Sequence, residues 1–482
     1  MAELHELLGS DGASAPRGVT ITSIAIDNRK AVPGSVFFAL AGSRTDGGRF
    51  AADAAGKGAL AVVGEGERPA GLPANVAFIR VADARATLAR AAAKLHPRQP
   101  ETIVAVTGTN GKTSVVSFTR QIWAAAGHKA ASLGTLGVSA PSGEVTGSLT
   151  TPDPVALHEL LDKLAGEGVT HLALEASSHG LDQRRLDGVR ISAGAFTNLT
   201  RDHLDYHPTL EAYRTAKLRL FDTLLPEGAS AVINADSPEA RIIAAVAQQM
   251  KLRLISVGSA GADLTLLAAI PEGFAQSLSV RAGGKDYRLH LPLVGAFQAS
   301  NALVAAGLAI ATGVATDEAL AALEDLEGAA GRLEYVGKKG NAPIFVDYAH
   351  TPDALGNALD ALRPFAAGQL LVVFGAGGDR DPGKRPLMGA VAARRADRAF
   401  VTDDNPRSED PAAIRKAILA SAPDAIEIGD RAAAIAAAVE ELKAGDVLLV
   451  AGKGHETGQI LGDRTLPFSD QAAVRAALGG KR

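Results

Sequence analysis

The chain has 482 residues, of which 47% are hydrophobic and 21% are charged. At roughly 100–200 residues per domain, this length predicts about three domains with ample cores. The net charge of −4 argues against a protein that binds nucleic acid or an anionic membrane through bulk charge. The absence of cysteine excludes disulfides, thiolate metal sites and cysteine nucleophiles. We find no signal-peptide pattern and no apolar run of about 18 residues, so we expect a cytoplasmic protein without membrane insertion.

The first hundred residues are predicted to form a small α/β domain. The alternation over Val19–Ile26 predicts one strand, and the apolar run Val36–Leu40 predicts another. Arg85–Leu95 has helical periodicity, and the two prolines in His96–Pro100 indicate a linker. We therefore place the first domain at 1–98.

The middle of the chain alternates strands with helices. Strands are predicted at Ile103–Thr107, Val169–Glu175, Ala193–Asn198 and Ala231–Asn234, and helices at Thr113–Ala126, Leu210–Leu225 and Ala299–Thr312. Leu264–Leu293 is predicted to be a strand-rich insertion. This order is typical of a doubly wound, mostly parallel sheet, which we place at 99–331.

The alternation restarts after a glycine-rich segment at 327–332. Strands are predicted at Ile344–Asp347, Leu370–Phe374, Ala399–Asp403 and Val447–Ala451, with helical stretches between them. The third domain, 332–482, is thus predicted to be a Rossmann-like α/β unit.

A glycine-rich turn joins the strand Ile103–Thr107 to the next helix. Its residues Gly108-Thr109-Asn110-Gly111-Lys112-Thr113-Ser114 would present backbone N–H groups and a helix N-terminus to phosphate oxygens. Lys112 would reach the β and γ phosphates, and the Thr113 hydroxyl would hold Mg²⁺. Val106 stands where the common phosphate-loop motif has its first glycine, which argues against ordinary GTPases and motor ATPases.

Polar residues follow the next two strands. Glu175 ends one strand, and the dense polar loop 198–207 follows the other. Glu175 and Thr113 suit Mg²⁺, whereas His203 suits it less well because imidazole is a softer ligand. Lys217 lies on the apolar stripe of the predicted helix, where it either extends its amine to solvent or becomes a nucleophilic amine through burial.

Three strand ends of the third domain carry loops that suit an anionic ligand. These loops are Gly375–Arg385, Thr402–Arg407 and Ala451–Glu456. Glycines, arginines and helix N-termini make such loops suitable for holding carboxylates. We expect the three loops to meet in one crevice.

Several of these motifs together resemble the Mur ligases and their relatives, the folylpolyglutamate synthases. The resemblance begins at the phosphate loop Gly108–Thr113 and extends over nearly the whole chain. It includes the segments around Glu175 and His203 and the motif Asp404-Asn405-Pro406-Arg407, which is similar to that of Mur ligases that add meso-diaminopimelate. It implies three domains: a UDP-binding domain, a central ATP-binding domain and a C-terminal amino-acid-binding domain.

The resemblance also implies roles for individual residues. Lys112, Glu175, His203 and Lys217 would be catalytic, and Thr113, Glu175, His203 and a carbamate formed on Lys217 from CO₂ would hold Mg²⁺. Beyond the phosphate loop, ATP would contact Asn301, Arg332, Asp347 and His350, although Asn301 and Asp347 also suit a helix start and a strand-end cap. The UDP-sugar and its peptide would contact Ile26, Asn28, Ser43, Arg44, Thr45, Thr150, Thr151, Ser177, Gln183 and Arg185, with Asn28 replacing the serine usual in the family. Diaminopimelate would contact Arg380, Asp404, Asn405, Pro406, Arg407, Gly452 and Glu456.

The function implied is that of a monomeric, ATP-dependent, ADP-forming ligase. It would join meso-diaminopimelate to UDP-MurNAc-L-Ala-D-Glu through an acyl phosphate. Arg407 argues against a lysine-adding relative, because lysine lacks the distal carboxylate that an arginine binds. The UDP-binding-like first domain argues against a folate enzyme, and the departure at Val106 argues against a nucleotide-dependent switch or motor.

Overall fold

The computed structural model describes residues 1–42, 45–145, 147 and 149–479. These residues form two compact units. The first contains Met1–Ala105, His128–Gly194 and Ala216–Ala229, and the second contains Val106–Gly127, Ala195–Thr215 and the chain from Ser230 onward. Each unit is described by itself below.

The first unit begins with a parallel four-stranded sheet. Its strands, in spatial order, are Ser23–Ala25, Ser35–Phe38, Ala61–Gly64 and Ala77–Arg80. Alternate residues of the second strand enter two different cores, since Val36 and Phe38 pack on one face and Phe37 on the other. This explains the continuous apolar run in the sequence. The accompanying helices are Leu4–Leu8, Ala51–Gly56 and Ala84–Leu95, with 3₁₀ turns at Gly9–Gly12, Asn28–Lys30 and Gly47–Phe50.

The single strand predicted over Val19–Ile26 is wrong. Thr20–Ile21 pairs antiparallel with Ala2–Glu3, whereas Ser23–Ala25 belongs to the parallel sheet. The predicted helix is confirmed, and it begins at Ala84 because the Asp83 carboxylate accepts the Ala86 N–H.

The remainder of the first unit contains a mixed sheet. His171–Glu175 pairs parallel with Ala130–Gly134, which continues antiparallel to Gly137–Ala140 and then Gly143–Val145. Its helices are Pro154–Gly166, capped by Asp153, and Ser178–Asp182, capped by Ser177. Glu175 therefore ends a buried strand, as predicted.

Three elements run across the boundary between the units. They are the strands Thr102–Thr107 and Ala193–Phe196 and the helix Leu210–Arg219. A π-helix, Leu220–Leu224, follows that α-helix, so the prediction of one α-helix to Leu225 is wrong in its last turns. π-helical turns are frequently found at functional sites.

The described part of the second unit carries two large sheets and a two-stranded hairpin. In the first, Ser230–Asn234, Arg253–Gly258 and Leu264–Glu272 pair parallel, and Ala275–Ala282 and Lys285–Leu291 extend it as an antiparallel meander. The predicted strand-rich insertion is thus confirmed. Its helices are Lys112–Ala125, Ala240–Gln249, Ala296–Ala311 and Thr316–Ala321, with a 3₁₀ turn at Ala322–Asp325.

The second sheet of this unit has six strands. In spatial order they are Glu334–Lys339, Ala342–Asp347, Val447–Ala451, Leu370–Phe374, Arg398–Val401 and Ile426–Glu427, of which only the first runs antiparallel to its neighbour. Separate cores on its two faces confirm the doubly wound α/β class. The helices are Pro352–Leu362, Lys384–Arg395, Pro411–Leu419, Arg431–Glu441 and Asp470–Ala477, with a 3₁₀ turn at Arg363–Phe365 and a hairpin of Gly458–Leu461 and Arg464–Pro467.

None of the helices within the described ranges has the length and apolar character needed to span a bilayer.

Candidate active site

The phosphate loop takes a shape that two glycines make possible. Gly108 and Gly111 have φ angles of 146° and 89°. A Cβ on Gly111 would lie 2.4 Å from Asn301 Oδ1, so the loop packs directly against the predicted adenine-contacting residue. Lys112 begins the helix, and its Nζ donates to the carbonyls of Gly108 and Thr109 at 3.0 and 2.8 Å. The ammonium group is therefore held over the loop in which phosphates are predicted to bind.

The loop after Ala193–Phe196 braces the phosphate loop. Asn198 accepts the Asn110 N–H at 2.9 Å through its side chain, and its carbonyl accepts the Thr109 N–H at 2.8 Å. Thr197 Oγ1 donates to the Asn110 carbonyl at 2.6 Å. Sequence reasoning noted this polar loop but selected only His203 from it. Asn198 could have been selected as well, because the loop follows one of the predicted strands of the same sheet.

Asp202 lies among several basic groups. Its Oδ2 is 3.5 Å from His203 Nε2 and 3.9 Å from His350 Nε2, and its Oδ1 accepts the His203 N–H at 2.8 Å. Burial alone would raise the pKa of Asp202, but His203, His350 and Lys384 together lower it to about 2. Burial lowers the pKa of His350. Two predicted site residues thus meet at a carboxylate that the sequence analysis did not select.

Arg332, at the end of the glycine-rich segment 327–332, connects that segment to the phosphate loop. Its Nη2 donates to Thr113 Oγ1 at 3.0 Å, and its guanidinium lies 4.6 Å from the centre of the Tyr348 ring. Asp347 accepts the N–H groups of Leu333 and Ala349 at 2.7 Å each, and burial raises the pKa of Asp347 to about 6. Arg332 and Asp347 therefore hold the chain beside the start of the phosphate-loop helix.

A cavity of about 690 Å³ adjoins Arg332. Gln298, Phe274 and Tyr335 contribute to its lining. Gln298 is buried, and its Oε1 accepts from Asn301 Nδ2 at 3.0 Å. The volume lies in the range of small-molecule sites.

The loops of the third predicted domain are joined by hydrogen bonds. Asn405 Nδ2 donates to Glu456 Oε2 at 2.8 Å, and its Oδ1 accepts from Lys453 Nζ at 2.9 Å. Lys453 Nζ also contacts Glu456 Oε2 at 2.9 Å and is fully buried. Gly452 has a φ of 120°, and a Cβ there would lie 2.5 Å from Asp404 Oδ2. These contacts join predicted diaminopimelate-binding residues in pairs, Asn405 with Glu456 and Asp404 with Gly452.

Arg380 and Arg407 come from two of these loops. Arg407 Nη1 donates to the Gly378 carbonyl at 2.8 Å, and the Gly378 N–H donates to the Asn405 carbonyl at 2.9 Å. The Arg380 side chain is half exposed, and its Nη1 lies 3.8 Å from Asp205 Oδ2. Pro406 directly precedes Arg407, and its carbonyl oxygen faces Gly378 in the loop of Arg380.

In the first unit, the Glu175 carboxylate is buried and held by Thr135. It accepts the Thr135 N–H at 2.8 Å and the hydroxyl at 3.1 Å. A Cβ on Gly134 would lie 2.1 Å from Glu175 Oε1, so glycine makes room for the carboxylate. Neither Thr135 nor Gly134 was selected from the sequence, because nothing local marks them as neighbours of Glu175.

Most of the predicted peptide-binding residues form one cluster with Glu175. Thr151 Oγ1 donates a hydrogen bond to the Glu175 carbonyl at 2.8 Å and accepts one from the Ser177 hydroxyl at 3.0 Å. Arg185 donates to the Thr151 carbonyl and to Gln183 Oε1 at 2.5 and 2.8 Å. Thr150 reaches the same network through Thr135, with 3.0 Å between their hydroxyls.

Lys217 is only 1% exposed. The interpretation that its amine extends to solvent is therefore wrong. Two residues later, Arg219 donates to both Asp187 carboxylate oxygens at 3.2 Å and to the Leu181 carbonyl. These bonds fix the segment on which Lys217 lies.

The predicted uridine-binding residues are only partly described. Ser43 and Arg44 lie outside the described residues. Asn28 donates to Asp53 Oδ2 at 2.6 Å, Thr45 accepts the Gly42 N–H at 3.0 Å, and Ile26 is partly buried beside the N-terminal core. The contacts of Asn28 and Thr45 are internal and give no sign of a ligand.

A metal site formed by the protein alone is not apparent, since no cluster of three or more His, Asp or Glu ligands occurs in the described part of the chain. Mg²⁺ usually binds one or two protein carboxylates and completes its shell with water and phosphate oxygens. The Thr113 hydroxyl and the Glu175 carboxylate are hard oxygen donors of this kind. Each of these two groups, taken by itself, has the oxygen chemistry that suits the ion.

The chain is similar to proteins of one known family over its whole length. Three family models match successive parts of the chain: the Mur ligase family catalytic domain at 20–96, the Mur ligase middle domain at 106–309, and the Mur ligase glutamate ligase domain at 331–454. The chain is 58% identical to the UDP-N-acetylmuramoyl-L-alanyl-D-glutamate–2,6-diaminopimelate ligase of Bradyrhizobium diazoefficiens, covering 99% of both chains. It is 59% identical to the ligase of the same name from Mesorhizobium japonicum, again covering 99% of both.

Solved structures are also similar. A structure of a UDP-N-acetylmuramoyl-L-alanyl-D-glutamate–2,6-diaminopimelate ligase matches with a TM-score of 0.69 and 33% identity over 99% of both chains. A folylpolyglutamate synthase of Mycobacterium tuberculosis matches with a TM-score of 0.66 at 18% identity, over 82% of this chain and 96% of the other. The second likeness concerns the fold alone.

Proposed function

Since this chain belongs to the Mur ligase family, we propose that it is the ATP-dependent ligase that adds meso-2,6-diaminopimelate to UDP-MurNAc-L-Ala-D-Glu in peptidoglycan precursor synthesis. The structural observation that carries this proposal is that the phosphate loop and the loops around Arg407 belong to one compact unit. The Arg332–Thr113 hydrogen bond joins the glycine-rich segment 327–332 to the start of the phosphate-loop helix. A ligase of this type needs both sites in one assembly, because the acyl phosphate made at one must meet the amine held at the other.

The first step transfers a phosphoryl group. The γ-carboxylate of the D-glutamate attacks the γ-phosphate of ATP, so that an acyl phosphate forms and ADP leaves. Lys112 and the N–H groups of Gly108–Ser114 stabilise the charge that builds on the phosphate oxygens. The nucleoside is proposed to extend toward Asn301, Arg332, Asp347 and His350, beside the cavity that Gln298 lines.

The second step forms the amide bond. The amine of diaminopimelate attacks the acyl carbon, and inorganic phosphate leaves. We propose that Arg380 and Arg407 bind the carboxylates, and that Glu456 and the Gly452 carbonyl bind the ammonium group. Asp404, Asn405 and Pro406 complete the proposed diaminopimelate pocket. Glu456 and Asn405 are already joined in the structure, which supports their acting as one group.

Mg²⁺ would neutralise phosphate charge, and Thr113, Glu175, His203 and Lys217 are the residues proposed to hold it. We also propose that CO₂ adds to the neutral Lys217 amine, with loss of a proton, to give a carbamate anion. Full burial of the side chain supports this step, because Lys217 is not a solvated surface cation.

The remaining proposals concern the acceptor and the organisation of the chain. The cluster of Thr150, Thr151, Ser177, Gln183 and Arg185 would hold the muramyl peptide, and Ile26, Asn28, Ser43, Arg44 and Thr45 would hold the UDP group. The domain limits 1–98, 99–331 and 332–482, a monomeric state and a cytoplasmic location also stand as proposals.

The direct test measures phosphate release from ATP with UDP-MurNAc-L-Ala-D-Glu and either meso-diaminopimelate or L-lysine. We expect strong release with diaminopimelate, little with lysine, and a product heavier by one diaminopimelate residue. Equal turnover with both amino acids would overturn the role of Arg407 but keep the ligase. ATP turnover that is the same with and without the amino acid and the UDP-sugar would overturn the proposal that the protein is a ligase.

A further inference from the structure

Two residues beside the predicted carboxylate-binding arginines bind each other. Asp379 precedes Arg380, and Ser408 follows Arg407. The Ser408 hydroxyl donates to Asp379 Oδ1 at 2.6 Å, and its N–H donates to Oδ2 at 3.2 Å. Both bonds lower the pKa of Asp379, which keeps it an anionic acceptor. The two loops are thus joined directly next to the two arginines.

A second connection lies one residue further along. Glu409 Oε1 accepts the Asp379 N–H at 2.6 Å, and both oxygens of Glu409 contact Arg385 Nη2 at 2.8 Å. The Arg385 side chain is only 7% exposed, whereas that of Glu409 is 34% exposed. The Glu409 carboxylate therefore links the loop of Arg407 to a buried cation at the start of the helix that follows Arg380.

The backbone at these loops is held in an unfavourable form. Asp379 and Arg407 have φ angles of 52° and 53°, in the left-handed region that non-glycine residues avoid. A Cβ on Gly378 would lie 1.9 Å from the Pro406 carbonyl oxygen, so the loops touch backbone to backbone. Such a conformation persists only where surrounding contacts stabilise it, and here those contacts come from the opposite loop.

We propose that Asp379, Ser408 and Glu409 are positioning residues that set the separation of the Arg380 and Arg407 side chains. They select an amino acid with two carboxylates over one with a single carboxylate. This inference rests on the proposed function and deepens it. Arginines held in place lose little conformational entropy when a dicarboxylate binds. A monocarboxylate leaves one of the two fixed arginines without a carboxylate partner, and this lost hydrogen bonding weakens its binding. An arginine that is free to move can hydrogen-bond to water instead, so the discrimination against a monocarboxylate is lost.

The test compares Ser408→Ala with the wild type and with Ser408→Thr, which keeps the hydroxyl. Glu409→Gln tests the second connection. Ser421→Ala and Asp424→Asn are matched controls, because both residues lie between the helix Pro411–Leu419 and the strand Ile426–Glu427 and take no part in the bonds described above. We would measure kcat and KM for diaminopimelate, KM for ATP, and the ratio of kcat/KM for diaminopimelate to that for L-lysine.

For Ser408→Ala we expect the KM for diaminopimelate to rise about fivefold and the selectivity ratio to fall by a similar factor. The KM for ATP should stay within twofold, and Ser408→Thr should restore most of both values. Equal behaviour of Ser408→Ala and Ser421→Ala would overturn the inference. So would a parallel change in all KM values, which indicates general loosening of the domain. Failure of the proposed function is distinguishable, because it would appear in the wild type as absent turnover with diaminopimelate.

Discussion

Replacing Asp470 with alanine should strongly destabilise the last predicted domain. Asp470 and Arg431 are fully buried, and their side chains join through two bonds of 2.7 Å, from Nε to Oδ1 and from Nη2 to Oδ2. Arg431 Nη2 also donates to the Ala451 carbonyl at 2.9 Å, directly before Gly452 of the predicted amino-acid pocket.

The size of the effect follows from the charge left behind. Arg431 Nη1 already lacks a hydrogen-bond partner among the described residues, so without Asp470 the buried guanidinium keeps only the carbonyl contact. Removing one partner of a buried pair costs about 3–5 kcal/mol. Replacing both partners, as Arg431→Met with Asp470→Leu, should recover most of this loss, because no uncompensated charge remains.

Hydrogen exchange is the suitable assay, because a chain of several domains need not unfold in one step. We would follow amides of the helix Arg431–Glu441 and the strand Val447–Ala451. A loss of about 3 kcal/mol would speed their exchange by about 100-fold or more, and the KM for diaminopimelate should rise as well. Asp424→Asn, which removes an exposed charge in the same domain, should change neither. If Asp470→Ala altered exchange less than about fivefold, the buried pair would not be a main support of this domain.

Three further outcomes are expected. Lys112→Ala should lower phosphate release by about 100-fold or more while leaving thermal stability near that of the wild type, because it removes a charge from the phosphates rather than from a core; release within fivefold of wild type would contradict the role. Gly111→Ala should reduce ATP binding and soluble yield, because its Cβ would meet Asn301 Oδ1 at 2.4 Å at a φ of 89°; calorimetry showing unchanged ATP affinity would contradict the packing argument. Burial lowers the pKa of His158 to about 4, so the unfolded state binds a proton at this residue more tightly than the folded state. The free energy of unfolding should therefore fall as the pH drops from about 6.5 toward 4, by about 3 kcal/mol at most. Urea titrations of His158→Leu should show a smaller loss over that range, and equal slopes would contradict the assignment.

Local signals in the sequence determined the repeating elements and the phosphate loop. The run Val36–Leu40 predicts a short strand, and the structure places alternate residues of the strand Ser35–Phe38 in two cores. Gly108 and Gly111 bracket a turn before a helix, and both adopt positive φ. Each of these predictions depends on neighbours along the chain, which a single sequence contains.

Predictions failed where the choice was not local. The pattern Val19–Ile26 gave no sign that its two halves join different sheets, because pairing depends on distant strands. The change from α- to π-helix after Arg219 likewise has no marker that we recognised in the sequence. The amphipathic stripe placed Lys217 on an apolar face but could not say whether the amine reached water, and only packing decided that it does not.

The candidate site divides in the same way. Short motifs with fixed chemical groups, namely Gly-Lys-Thr after one strand and Asp-Asn-Pro-Arg after another, were enough to select candidate residues for the chemistry. Folding of the chain set which partners hold those groups: Thr135 for Glu175, Asp202 for His203 and His350, and Lys453 for Glu456. The reason is physical: a hydrogen bond depends on two groups lying within about 3 Å. The chain brings such groups together from positions as far apart as Thr113 and Arg332, which are 219 residues apart, a separation at which no sequence periodicity operates.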